Sequence, residues 1–178
     1  VEIRTPMDAI RAGLGFITEE RKLNGIVWML GIRENMVLAC LPKMPGHFFI
    51  NRRREREEAG RQFERLRIKA PSLETKLVQL SGGNQQKVIL GKWLLNKPKI
   101  LFIDEPTKGI DVGTKADFYH IMSELTKEGV SIVMISSDMP ELVSMSDRCL
   151  VLSNGKITAE LPKEEINETN VMRAAIGQ

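Results

Sequence analysis

The sequence has 178 residues, 42% apolar, 28% charged and 5% aromatic, which supplies one packed core and excludes a disordered chain. Its 26 basic and 23 acidic side chains leave a net charge of +3, too weak a field to define a nucleic-acid partner, and no apolar run reaches the roughly 18 to 20 residues of a membrane-spanning helix. Two cysteines, Cys40 and Cys149, show no metal spacing and exclude a disulfide framework.

The start, Val1-Glu2-Ile3-Arg4, has neither an initiator Met nor a signal-peptide pattern, the expectation for the interior of a longer protein. Thr5-Pro6-Met7-Asp8 then predicts a helix start: an N-cap hydroxyl, a proline at the first helical position and an acid in the first turn. Gly13 stops that helix, and Leu14–Thr18 is a strand candidate. Ile32–Cys40 predicts a helix, Pro42–Gly46 a loop, and Asn51–Ile68 a charged helix with Phe63 and Leu66 as its apolar anchors.

In the second half, Asn84–Asn96 predicts a helix apolar on most sides and therefore buried. Lys99–Asp104 is a buried strand ending in an acid. Phe118, Ile121, Met122 and Leu125 give an amphipathic helix that Gly129 ends. Ser131–Ser136 is the next strand, Arg148–Ser153 and Lys156–Leu161 form a hairpin on Asn154-Gly155, and a short helix covers Thr169–Ile176. Helices alternating with strands predict an α/β fold with a mainly parallel sheet.

Two segments carry candidate chemistry. In Leu80-Ser81-Gly82-Gly83-Asn84-Gln85-Gln86-Lys87, a hydroxyl residue and two glycines open a helix, exposing unpaired N–H groups at its positive end. Such an end suits a phosphate, although an ordinary flexible helix start fits the same residues. In Ile100-Leu101-Phe102-Ile103-Asp104-Glu105, two carboxylates sit at the carboxyl end of a buried strand, where open α/β sheets bind ligands. Asp104 could hold Mg²⁺ through water, and Glu105 could orient or deprotonate an attacking water.

Ser81 and Asp104 are 23 residues apart, the length of one helix and one strand, and Gly109-Ile110-Asp111 follows. This order resembles the nucleotide-binding domains of ABC-type ATPases over nearly the whole chain. Leu80–Lys87 is similar to their signature motif, Ile100–Glu105 to the Walker B strand and Gly109–Asp111 to the D-loop. Thr18-Glu19-Glu20-Arg21-Lys22 and Ser136-Ser137-Asp138-Met139-Pro140-Glu141 resemble the C-terminal half of the ATPases of ribose-, galactose- and xylose-type sugar importers.

The resemblance implies a partial P-loop NTPase fold with helices on both faces of the sheet. It divides the chain into a permease-facing helical subdomain at 32–79 and a signature, Walker B, D-loop and C-terminal portion at 80–178. It implies ATP and Mg²⁺ as cofactors, with Ser81, Gly82, Gly83, Gln85 and Asp111 toward the nucleotide, Glu105 as the catalytic carboxylate, and Asp104 and Glu19 toward the metal. It also implies a cytoplasmic place at the inner face of the membrane. The implied partners are an N-terminal nucleotide-binding half of the same protein, permease subunits and, indirectly, a sugar-binding protein.

The pattern is incomplete. No G-x-x-x-x-G-K-[ST] phosphate loop occurs, and Gly109-Ile110-Asp111-Val112-Gly113-Thr114-Lys115 misses its spacing and residue order. The switch histidine falls on Ser137 and the Q-loop glutamine on Glu19. The expectation is a domain truncated before its phosphate loop and inactive alone, donating its signature motif to an ATP held by another half. A non-catalytic dimerisation or regulatory module, and an ABC-type ATPase of DNA repair or translation, are the alternatives. The missing phosphate-loop strand would leave two open sheet edges, inviting rearrangement or self-association.

Other features read plainly. Arg52–Glu58 pairs opposite charges at i, i+4 and has no interleaved aromatics, a solvated helix face with no nucleic-acid role. Trp28, Met29, Leu30, Phe48 and Phe49 are candidates to face a permease, with Trp28 equally suited to the core. His47 and His120 lack metal-ligand spacing.

Overall fold

The structure, a computed structural model, describes residues 1–41 and 51–177. The loop expected at 42–46, His47, Phe48 and Phe49 lie outside the described residues. Two compact units form, Val1–Ile135 and Ser136–Gln178.

The first unit opens with α1 (Pro6–Arg11), where Thr5 and Asp8 make a reciprocal capping box, and Gly13 at φ 86 turns the chain into β1 (Leu14–Ile17). A π-helical turn (Arg21–Gly25) leads to α2 (Ile32–Val37), shorter than the sequence expectation. Asn51 caps α3 (Arg52–Arg65), and after a 3₁₀ turn at Leu77–Gln79 come α4 (Gly82–Leu94), β2 (Ile100–Asp104), α5 (Val112–Lys127) and β3 (Ser131–Ile135). The strands form a parallel sheet in the order β1-β2-β3, with Phe16 beside Phe102 and Phe102 beside Val133. Helices α2, α3 and α4 pack on one another.

One face of the sheet carries Ile17, Leu101 and Ile103, each 0% exposed, and α4 lies over it: a Cβ on Gly15 would touch Trp93. Burial of each such side chain stabilises by about 1.5–3 kcal/mol. The opposite face leaves Phe16, Val133 and Ile135 about half exposed. Parallel pairing needs a long crossover between strands, and here α4 and α5 supply it. The carboxyl ends of all three strands therefore point the same way, which gathers the segments after Ile17 and Asp104 at one end of the sheet.

The charged helix α3 is solvated along part of its length, where Arg53 pairs with Glu57 at 3.0 Å and Arg61 with Glu58. Glu55 departs from that pattern. It is buried against the Arg33 guanidinium of α2. Leu66 is fully buried, as expected of an anchor, and Ala59 joins it.

The second unit contains α6 (Met139–Met145), capped by Asp138, the hairpin β4 (Arg148–Ser153) and β5 (Lys156–Pro162), and α7 (Glu168–Ile176), ended by Gly177 at φ 81. Asn154 and Gly155 at φ 50 and 75 make the tight hairpin turn expected of that pair. Cys149, Val151, Leu161, Ile166 and Val171 form its core. Among the described residues β3 ends the sheet of the first unit, and within the second unit β4 pairs with β5.

Candidate functional site

The N-terminus of α4 is set by Leu80, which is buried, and by Ser81, whose extended backbone starts the helix. Ser81 is exposed, and its hydroxyl caps no helix N–H; it accepts instead from Asn84 Nδ2 at 2.9 Å. The first-turn N–H groups of this 13-residue helix thus have no side-chain cap, and the helix dipole adds positive character there. That end can receive an anion.

The two glycines have a second reason to be glycine. A Cβ on Gly82 would lie 2.9 Å from an Arg21 guanidinium nitrogen and 3.0 Å from the Gly109 carbonyl, and one on Gly83 would lie 2.2 Å from Thr114 Cγ2. The helix start is therefore seated directly on the loop and helix that follow β2. Sequence reasoning assigned these glycines only to backbone access.

Gln85 is not presented with Ser81 and the glycines. It is buried, and its carboxamide donates to the Leu77 and Leu80 carbonyls at 3.2 and 3.0 Å. Although i, i+4 spacing puts Gln85 on the same side of the helix as Ser81, its carboxamide folds back onto the two carbonyls of the turn before α4, and that contact buries it. Asp111 is likewise engaged as the N-cap of α5, accepting from Thr114 N at 2.9 Å and Thr114 Oγ1 at 2.7 Å.

At the end of β2, Asp104 and Glu105 are both half-buried. Glu105 has φ 49, a left-handed conformation uncommon outside glycine, asparagine and aspartate, and its N–H donates to the Ile135 carbonyl at 2.8 Å. Strain of this kind collects at functional positions. Burial pushes the Asp104 carboxyl above its ordinary value, Glu19 and Glu105 push it further, and Lys108 opposes them.

Glu19 stands close to this end, but as one half of an ion pair: Lys108 Nζ donates to its carboxylate at 2.5 Å. That contact, with Glu105 and Glu20 nearby, holds the Lys108 ammonium above its ordinary range. Among the described residues no group of three His, Cys, Asp or Glu side chains is arranged to hold a metal ion. Asp104 and Glu19, the two carboxylates expected toward Mg²⁺, lie near each other at this end of the sheet, with the Glu19 charge balanced by the Lys108 ammonium. Lys108 and Arg21 are the site residues that sequence reasoning missed. Both lie inside motifs it quoted or adjoined, yet their partners are some 87 to 89 residues away in the chain.

Elsewhere, Trp28 is half-buried and donates to the Lys22 carbonyl at 2.9 Å, Met29 is exposed, and His120 is exposed on α5. Ser137 is exposed at the start of the second unit, just before Asp138, the cap of α6.

A parallel sheet, an uncapped glycine-rich helix start and paired acids at a strand end define an open α/β domain. The ABC transporter family profile matches residues 2–108, and the chain belongs to that family. It is 48% identical over 177 residues to a xylose import ATP-binding protein of Geobacillus kaustophilus, covering 99% of this chain and 35% of the relative. It is 46% identical over 176 residues to a ribose import ATP-binding protein of Rhodopirellula baltica, covering 99% and 34%. The chain spans about a third of the length of these relatives. A nucleotide-free ATP-binding cassette from an ABC transporter shares the fold, with a TM-score of 0.76 at 20% identity over 98% of this chain and 69% of that one. A dimeric cassette in a post-hydrolysis state with ADP and Pi gives 0.75 at 24% identity, over 88% and 66%.

Proposed function

We propose that this chain is part of the ATP-hydrolysing subunit of a sugar importer, and that its own contribution is the phosphate-facing helix start at Ser81–Gly83. The observation that carries this reading is the uncapped N-terminus of α4, with Ser81 exposed beside it. The names of the relatives, xylose and ribose import ATP-binding proteins, supply the transport context. In the intact protein, ATP bound elsewhere would meet the Ser81–Gly83 amides across an interface, where a positive helix end stabilises the transferring γ-phosphoryl group. The chain carries no phosphate loop and hydrolyses nothing alone. At a separate site on this half's own strand end, Glu105, fixed in position by its N–H bond to Ile135, would orient the attacking water with Asp104 beside it, and that site is the weaker one because Ser137 stands where the switch histidine falls. Mg²⁺ would arrive with the ATP, and Asp104 and Glu19 are the carboxylates of this chain that would face it.

The partners in this reading are a second nucleotide-binding half, permease subunits and, through them, a sugar-binding protein. Among the described residues no helix is long and apolar enough to cross a membrane. In this reading the chain meets the permease at its cytoplasmic face. The charged run of α3, drawn into ion pairs with Glu57, Glu58 and Glu74, gives no support to a nucleic-acid partner.

The test is Ser81→Arg in the longer protein containing this chain. The Ser81 side chain contacts only Asn84 in the hydrogen-bond network, so the fold tolerates the change. ATPase and sugar uptake should fall at least about tenfold, the order expected for loss of a positioned transition-state contact. Wild-type turnover in that variant would sink the reading, and so would hydrolysis by the 178-residue chain alone that Glu105→Gln abolishes.

A further inference from the structure

Arg21 opens the π-helical turn Arg21–Gly25, and the far end of that turn is fastened to α4. A Cβ on Gly25 would lie 2.8 Å from Ile89 Cδ1, and Lys92 Nζ donates to the Gly25 carbonyl at 2.6 Å. From this anchored turn the guanidinium crosses to the loop after β2. One terminal nitrogen donates to the Lys108 carbonyl at 2.8 Å and the other to the Gly109 carbonyl at 3.3 Å. The second nitrogen also fills the space where a Cβ of Gly82 would stand, 2.9 Å away. The same two segments are tied again by the Glu19–Lys108 pair.

The loop it holds needs holding. Gly109 is at φ 67, a conformation glycine enters and leaves freely, and the loop runs from strained Glu105 to the cap of α5 at Asp111. The Arg21 Nε is buried and has no hydrogen-bond partner among the described residues. A buried donor left unmatched marks a side chain placed for what its other atoms do. Lysine lacks this reach, because the two carbonyls are met here by two separate nitrogens of a planar fork, whereas an ammonium is a single point with no fixed donor geometry.

We propose that Arg21 is a positioning residue, whose guanidinium locks the 108–111 loop to the start of α4 and so fixes the Ser81–Gly83 amides relative to Glu105. The consequence for turnover rests on the functional reading above; the lock itself does not. Without it, Gly109 is free to change conformation, and the helix start that serves one nucleotide and the strand end that serves the other lose their common frame. The effect falls on the rate of the chemical step rather than on ATP affinity.

The experiment compares wild type, Arg21→Ala and Arg21→Lys by hydrogen exchange of the peptides spanning 80–86 and 106–116. ATP turnover of the longer protein is followed in parallel, with and without about 10 mM guanidinium. Expected for Arg21→Ala is at least tenfold faster exchange confined to those two peptides, and about tenfold lower kcat with KM within twofold. Added guanidinium should slow the exchange and restore part of kcat, and Arg21→Lys should behave like Arg21→Ala without rescue. Unchanged exchange, acceleration spread over the whole chain, or failure of guanidinium to slow it would each overturn the proposal. If exchange responds as expected while wild type hydrolyses no ATP, the lock stands and the functional reading falls. If wild type turns over and Glu105→Gln does not, yet exchange ignores Arg21, the lock falls and the functional reading stands.

Discussion

Gly83→Ala isolates the packing role of the signature glycines from any role toward a ligand. The new methyl would lie 2.2 Å from Thr114 Cγ2 and 2.9 Å from Thr114 Cβ, where carbon atoms need about 3.5–4.0 Å, so α4 and the first turn of α5 must part by roughly 1.5 Å. Neither side yields easily: residues 85–91 of α4 are all buried, and the α5 terminus is pinned by the Asp111 cap. The cost should therefore fall near the upper end for overpacking, about 3 kcal/mol, offset by up to about 1 kcal/mol from the better helix propensity of alanine. Urea unfolding should show a net loss of about 2 kcal/mol through a lower midpoint at unchanged slope. Thr114→Ala removes Cγ2 and the hydroxyl that bonds Asp111, costing about 1 kcal/mol alone, and it removes the closest clash with the new methyl while the 2.9 Å approach of Cβ remains. The double variant should accordingly be at least about 1 kcal/mol more stable than the sum of the singles. Gly113→Ala is the control, since its Cβ would meet only Asp111 Oδ1 at 3.4 Å. A neutral Gly83→Ala, or strict additivity with Thr114→Ala, would refute the close seating of α4 on α5.

Gly60 offers the opposite case, in the interior of α3 with no atom nearer than 3.9 Å to a new Cβ, so Gly60→Ala should stabilise by about 0.5–1 kcal/mol in the same assay. Asp117→Asn removes the acid facing buried Lys87 at 3.1 Å; because Asp117 is itself half exposed, water recovers part of the loss, and the net cost should be about 1–2 kcal/mol at neutral pH. The Lys87 hydrogen bond holds the Asp117 carboxyl low, so that stabilisation exists above the unfolded-state carboxylate range and disappears as pH falls through the lowered folded value; in acid the variant and wild type should converge. For Asp104 the sign reverses: its raised carboxyl costs stability once pH passes the folded value, so Asp104→Asn should raise the urea midpoint at neutral pH and lose the advantage in acid. Carboxyl ¹³C titration should show the Asp104 transition move down in Glu19→Gln and up in Lys108→Met, and a value indifferent to both would remove the charge cluster at this strand end.

What was legible in the sequence is what neighbouring residues decide. The Thr5–Asp8 capping box, the Phe118, Met122 and Leu125 stripe, Gly129 at φ 90 and the Asn154-Gly155 turn are all short-range devices, and each predicted element formed. The seven-residue α6, too short for periodicity to show, was hidden in a segment read only as a motif. Glu55 is buried because Arg33, 22 residues earlier, packs against it, and a solvated-face reading of α3 has no means of finding that partner. The candidate site divides the same way. Ser81, Asp104 and Glu105 were legible from local chemistry, while the inward turn of Gln85 and the capping use of Asp111 depend on what the helix ends need once folded.

Glu19 shows how a departure from a family pattern changes meaning once its surroundings are known. In the sequence it is an uncompensated negative charge where a neutral amide is usual, which reads as a weakened site. In the structure, Lys108 supplies the compensating charge and Arg21, two residues along, grips the backbone of the same loop. An amide at position 19 would leave the Lys108 ammonium without its direct partner, and an uncharged residue at 108 would remove the one charge that opposes the rise of the Asp104 carboxyl beside Glu19 and Glu105. Each residue makes sense only with the other present. The segment after β1 and the loop after β2 are therefore specified together, by charge at one point and by hydrogen bonds at the next, and the start of α4 is seated on both.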